Sequence, residues 1–122
     1  MISPGDALSV CSLIKNTVHV RENYDFLPIS YAVKNRLKSG GTLHDIAMDC
    51  RHDNVGEISS TFEYEDREDT LKALSIVTGV FAGLYDDPTN GATRFHRHDH
   101  CPEWSETLQA SALLGSYIYY RD

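Results

Sequence analysis

Three imidazoles alternate near the end of the chain, at His96, His98 and His100, and a thiol, Cys101, follows directly. In an extended segment, residues two apart point to the same side, so the three rings could converge on a borderline metal such as Zn²⁺. His96, His98, His100 and Cys101 are therefore the metal candidates; the competing reading is a set of solvent-exposed or groove-lining histidines. The expectation is that the chain holds no resident metal and no other cofactor. Just beyond lie Trp104 and the tyrosines Tyr117, Tyr119 and Tyr120. Pyranose rings have apolar faces, so these aromatics could stack on sugar; the same side chains also suit the core of a small sheet. Strand alternation puts Tyr117 and Tyr119 on one face and Ile118 and Tyr120 on the other.

The remaining polar chemistry is more diffuse. The acidic run Glu63-Tyr64-Glu65-Asp66-Arg67-Glu68-Asp69 reads as a solvated loop feeding a helix N-terminus, where negative charge favours the macrodipole. A cation or partner-docking site is the alternative. The cysteines, Cys11, Cys50 and Cys101, are odd in number and form no Cys-x-x-Cys pair, so zinc-ribbon and dithiol redox motifs are excluded and reduced thiols are expected.

Composition narrows the classes further. A chain of 122 residues fits one domain spanning 1–122, and 41% hydrophobic residues suffice for a core. A net charge of -7 argues against a nucleic-acid partner, which calls for a basic footprint. No apolar run is long enough for a bilayer span, and Met1 to Asp6 lacks the basic start of a signal peptide. The expectation is thus a cytoplasmic chain as synthesised, with no membrane partner, able to reach a cell wall only by a signal-independent route.

The elements that must position these groups can be read from periodicity. Ser3-Pro4 resembles a helix start, and Ala7, Val10, Cys11, Ile14 and Val18 mark one face of a helix to about 16–18. A second helix fits Pro28 to Lys38, with Ile29, Ala32, Val33 and Leu37 inward, and stops at Gly40-Gly41. Thr42-Leu43-His44-Asp45 has the form of a capping box for a short helix over 43–48. Residues 49–69 read as polar and irregular. The next helix should bury Leu71, Leu74, Val77, Thr78, Phe81 and Leu84, with Gly79 and Gly83 permitting close helix approach. Asp87-Pro88-Thr89-Asn90-Gly91 turns the chain. Strands are predicted over 92–96 and 117–120, with 102–115 mixed and partly helical. The sum is a helix-rich α+β domain with a small C-terminal β element.

The segment Asp87-Pro88-Thr89-Asn90-Gly91-Ala92-Thr93-Arg94-Phe95-His96 resembles the Asp-Pro-Thr-x-Gly-Ala-Thr-His-Tyr/Phe-His motif of cell wall hydrolases of the spore-cortex-lytic (SleB-like) family. Pro102-Glu103-Trp104 is similar to that family's Pro-x-Trp, and Gly115 with Tyr119-Tyr120-Arg121 to its final strand. Upstream, Ala32-Val33-Lys34-Asn35-Arg36-Leu37 is similar to its Val-Ile-Leu-Asn-Arg-Val helix. The stretch Leu71-Lys72-Ala73-Leu74 through Gly83 looks like its Ala-rich helix.

The resemblance implies a lysozyme-like or lytic-transglycosylase-like domain that cleaves peptidoglycan glycan strands. Such a glycosidase needs a carboxylic acid kept protonated near neutral pH to donate to the glycosidic oxygen. Counted without a gap, the family's catalytic Glu falls on Thr17, whose hydroxyl cannot supply that proton. Glu22, close to the family's second Glu, is the replacement candidate; His19 is another. Ser60-Thr61-Phe62 is the nearest counterpart of a cleft motif. The substrate-facing candidates are His96, Trp104, Tyr117 and Tyr119. The competing expectation is a pseudoenzyme of phage or mobile-element type, which keeps the fold without the chemistry and binds and modulates another protein.

Overall fold

The computed structural model describes residues 4–17, 26–53, 67–98, 101–115 and 117–122. Among these residues four α-helices are followed by a three-stranded antiparallel sheet: α1 (Pro4–Thr17), α2 (Phe26–Lys38), α3 (Leu43–Asp53), α4 (Arg67–Phe81), β1 (Arg94–Arg97), β2 (Gln109–Leu114) and β3 (Tyr117–Arg121). Among the described residues no helix is long and apolar enough to cross a membrane.

Helix α1 starts with proline at its first position, where the missing N–H costs nothing. It buries Ala7, Val10, Cys11 and Ile14, the stripe its spacing predicts. Helix α2 begins two residues before Pro28. That proline is tolerated at the third position because the first four N–H groups of a helix have no partner inside it. The helix ends as expected at the glycine pair. Gly40 takes φ +98°, its N–H donates to Leu37 O, and Gly41 N–H donates to Arg36 O at 3.0 Å, which together close the last turn.

Helix α3 is capped by Thr42, whose Oγ1 accepts from Asp45 N–H at 3.2 Å. It runs to Asp53, one turn further than the polar composition of 49–53 suggests. The reason is the i, i+4 pair Ile46 and Cys50, both buried, which carries the inward face onward.

Helix α4 departs from its predicted face. Ala73, Val77 and Val80 are fully buried, whereas Leu71 is 63% exposed and Thr78 is exposed. Leu84, 75% exposed, lies beyond the helix end. The helix stops because Gly83 adopts φ +77° and Leu84 N–H returns to Gly79 O at 2.9 Å. A 3.6-residue period cannot continue through that reversal. The two glycines also do different work from the helix approach expected of them. A side chain on Gly79 would put its Cβ 2.6 Å from Cε2 of Tyr85, so Gly79 makes room for a ring of the following loop.

The strand order is β1-β3-β2. Between β1 and β2 lies a 3-10 turn, Glu103–Glu106. Residues 109–114, read from composition as mixed and partly helical, are a strand. Ala, Ser and Gln have little strand preference, but pairing to β3 across the turn at Gly115 imposes the extended form. A bulge sits between Ala110 and Ala112 in that pairing and singles out Ser111.

Alternation along β3 assigns its faces. Tyr117 and Tyr119 are 1% and 0% exposed and point into the core with Phe95. Their rings meet Phe95 at centroid distances of 5.8 and 5.7 Å. Helices α1, α2 and α4 close over them through Val10, Ile14, Ile29, Val33 and Val77. The opposite face of the sheet carries Arg94, His96, Ile118 and Tyr120, as the pairings Arg94 with Tyr120 and His96 with Ile118 require.

Removing a ring from the inner face leaves a cavity that a small sheet cannot collapse. Tyr119→Ala is expected to lower unfolding free energy in urea by about 3–5 kcal/mol. Leu113→Ala on the exposed side of β2 should stay within about 0.5 kcal/mol. Equal losses at the two positions would show the face assignment to be wrong.

Candidate functional site

The segment 87–96 is built around one carboxylate. Asp87 Oδ1 accepts from Thr89 N–H at 2.8 Å and from the Thr89 hydroxyl at 2.6 Å. Its Oδ2 accepts from Gly91 N–H and from Asn35 Nδ2, each at 3.0 Å. Asn35 also donates to Ala92 O at 2.9 Å, so one amide on α2 holds both ends of the turn. The Thr89 hydroxyl, fully buried, accepts in turn from Ala92 N–H at 3.1 Å. Asn90 and Gly91 follow in the left-handed region, at φ 58° and 85°, where Asn and Gly are tolerated best. Burial pushes the Asp87 pKa up, but the bonds from Thr89, Asn35 and Gly91 outweigh it and hold the carboxyl below its ordinary value.

The same turn grips the sheet. The Ser111 hydroxyl, presented by the β2 bulge, donates to Thr89 O at 2.7 Å, and Asn90 Nδ2 donates to Ser111 O at 3.1 Å. Helix α2, the entry to β1 and strand β2 are thus joined through six residues of turn.

On the outer face of the sheet, His96 is 1% exposed. Its Nδ1 lies 2.6 Å from Arg97 O and its Nε2 lies 2.9 Å from the Tyr120 hydroxyl. A carbonyl can only accept, so Nδ1 carries a proton, and in the neutral ring Nε2 accepts from Tyr120. Burial first, then the neighbouring Cys101, raises the Tyr120 pKa and keeps that hydroxyl a donor. His96 also stacks on Tyr120 at 5.2 Å, and Trp104 meets both rings edge-on at 5.7 and 5.1 Å. Arg94 completes the group, its Cζ 5.2 Å from the Trp104 ring centroid.

These positions correct three of the sequence-based site assignments. His96 has both nitrogens turned inward, so it orients Tyr120 and Trp104 and reaches neither sugar nor metal. Tyr117 and Tyr119 are core side chains with no face left for a sugar. Trp104 is half-buried and does line a cleft. Among the described residues no group of three His, Cys, Asp or Glu side chains could hold a metal. His98 and Cys101 are exposed, and His100 lies outside the described residues. Glu22, His19, the Ser60-Thr61-Phe62 segment and the side chain of Thr17 also lie outside them, as do residues 63–66 of the acidic run.

The cleft beside Trp104 has a volume of about 330 Å³ and is walled by Arg36, Arg94, Thr93, Ser39 and Thr107. Behind the arginines stands Asp49 of α3. Its Oδ2 pairs with Arg36, and Arg94 Nη2 reaches the same oxygen at 3.3 Å. The guanidiniums are 18% and 28% exposed and the carboxylate 35%, so the triad is only partly screened by water. This Arg36–Asp49–Arg94 group was not legible beforehand, because its members come from α2, α3 and β1. A second depression of about 510 Å³ lies between α1, α2 and α4, with Val10, Leu37 and Phe81 beside Lys34 and Lys38.

In comparison with known proteins, no family model, no curated protein and no solved structure matches this chain.

Asp87→Ala removes the acceptor for four donors and is expected to lower stability by about 2–3 kcal/mol. The pH dependence has a definite sign. A carboxyl whose folded pKa lies below its ordinary value of 3.8 stabilises the fold above that value and loses the contribution as pH falls through the folded pKa. Thermal melts should therefore decline on acidification below 3.8, and Asp87→Asn should flatten that part of the curve. An unchanged acid limb in Asp87→Asn would assign it to other carboxylates.

Proposed function

We propose that this chain is a cell-wall-hydrolase-type domain of the spore-cortex-lytic, lysozyme-like class, and that it engages peptidoglycan glycan strands in the cleft beside Trp104. The observation that carries the reading is the cleft lining. A half-buried indole is held by Arg94, His96 and Tyr120 next to the hydroxyls of Ser39 and Thr107 and the guanidiniums of Arg36 and Arg94. A pyranose needs that pairing of an aromatic face with hydrogen-bonding groups at its edge. The resemblance across 87–96, 102–104 and 115–121 supports it, since these segments supply the turn and the sheet face behind the cleft. A helical body with a small antiparallel sheet also suits a lysozyme-like architecture.

In this reading Glu22 donates the proton to the glycosidic oxygen, because Thr17 occupies the acid's expected place. Thr17 itself favours a second reading, in which the glycan groove persists without hydrolysis and the chain binds and modulates another protein.

Purified peptidoglycan distinguishes these. The chain should co-sediment with the insoluble glycan, and Trp104→Ala should weaken retention roughly tenfold with unchanged circular dichroism. Zymogram clearing that disappears in Glu22→Gln supports catalysis by Glu22. Retention without clearing supports the inactive form, and loss of both retention and clearing removes the glycan reading.

A further inference from the structure

We infer that Asn90 is a site of spontaneous deamidation through a cyclic imide, that the turn around Asp87 gates the reaction, and that the product loosens β2. Asn90 is the single asparagine in the chain that is followed by glycine. Glycine offers no side chain against ring closure, and the space where a Cβ of Gly91 would stand is open to 4 Å among the described residues. Both residues are exposed, so water reaches them directly. In the reaction the backbone nitrogen of Gly91 attacks Cγ of Asn90. The N–Cγ bond forms, the Cγ–Nδ2 bond breaks, and the proton of the Gly91 N–H leaves with Nδ2 as ammonia. Water then opens one of the two imide C–N bonds, giving aspartate or isoaspartate at 90.

The fold holds both reacting groups back. Gly91 N–H donates to Asp87 Oδ2 at 3.0 Å, and an anion beside that N–H opposes the loss of its proton. Asn90 Nδ2 donates to Ser111 O at 3.1 Å, a bond that must break before the nitrogen can leave. The restraint reaches beyond the turn, because Asn35 of α2 holds both Asp87 Oδ2 and Ala92 O. The rate therefore follows the population in which the turn has opened. Once formed, the product cannot restore the original contacts. A carboxylate at 90 has no N–H for Ser111 O and adds a second negative charge to the turn of Asp87. Isoaspartate also puts an extra methylene into the backbone, displacing Gly91 N–H from Asp87. Strand β2 is then left with the Ser111 hydroxyl bond to Thr89 O as its fastening to the turn.

The test is incubation of the intact folded chain at mildly alkaline pH, followed by peptide mapping with isoaspartate detection. Deamidation is expected at Asn90 before any other asparagine, and at least about tenfold slower than in the same chain held in urea. Asn35→Ala leaves residues 87–91 unchanged, yet it should raise the rate at Asn90 about fivefold by loosening the turn from α2. Asp87→Asn, which preserves the side-chain shape, should accelerate it as well; circular dichroism checks that each variant is folded. Asn90→Asp, the product made directly, should melt about 4 °C below the wild type. Earlier deamidation at another asparagine would overturn the site. Equal rates in the folded and urea-unfolded chain, or an unchanged rate in the folded variants, would overturn the gating. An unchanged melt in Asn90→Asp would overturn the loosening of β2.

Discussion

The Asp87 carboxylate is the constraint on which the rest of the arrangement depends. Four donors from three residues meet on its two oxygens, and one of them, Asn35, belongs to a helix more than fifty residues earlier. Hydrogen bonds to a charged acceptor are among the stronger ones a protein makes, and here they are partly shielded from water. Because Asn35 also holds Ala92 O, the chain enters β1 at a set distance and angle from α2. That in turn sets Arg94 across from Arg36, with Asp49 between them. The cleft wall is a consequence of a turn that contains none of its charged residues.

The sheet divides its labour by alternation alone. One face of β3, Tyr117 and Tyr119, supplies rings to the helical core; the other, Tyr120, anchors His96 and Trp104. A three-stranded sheet needs a hydrophobic face or packed helices to be stable, and the inner rings supply that face against α1, α2 and α4. The outer cluster is smaller and held differently, by the Tyr120–His96–Arg97 hydrogen-bond chain and by edge-on ring contacts. This explains why His96 is turned inward. Its ring packs edge-on against Trp104 and restricts the attitude of that indole.

Much of the scaffold was legible in the residue order. The faces of α1 and α2, the Gly40-Gly41 stop and the Thr42 cap follow from local rules, since each depends on neighbours three or four positions away. The α4 face was misread because Leu71, Thr78 and Leu84 satisfy the period as well as Ala73 and Val80 do. Hydrophobicity does not say which side of a helix meets the others. Strand β2 was illegible for a related reason, as its extended form comes from pairing with β3 and not from its own composition. The candidate site was legible only at Trp104. Arg36, Asp49 and Arg94 are each unremarkable in sequence, and their charges matter only once three elements bring them together.

By itself the sequence determined the helix-rich α+β class, the position of the C-terminal β element, the turn at 87–91 and the sharing of one face by Tyr117 and Tyr119. These follow from short-range geometry, which is encoded within a few residues. The tertiary structure alone decided that this shared face is inward, that His96 is bonded rather than free, and that two arginines meet over one carboxylate beside an indole. Burial and charge pairing are properties of distances across the fold, and distance across the fold is what residue order does not contain.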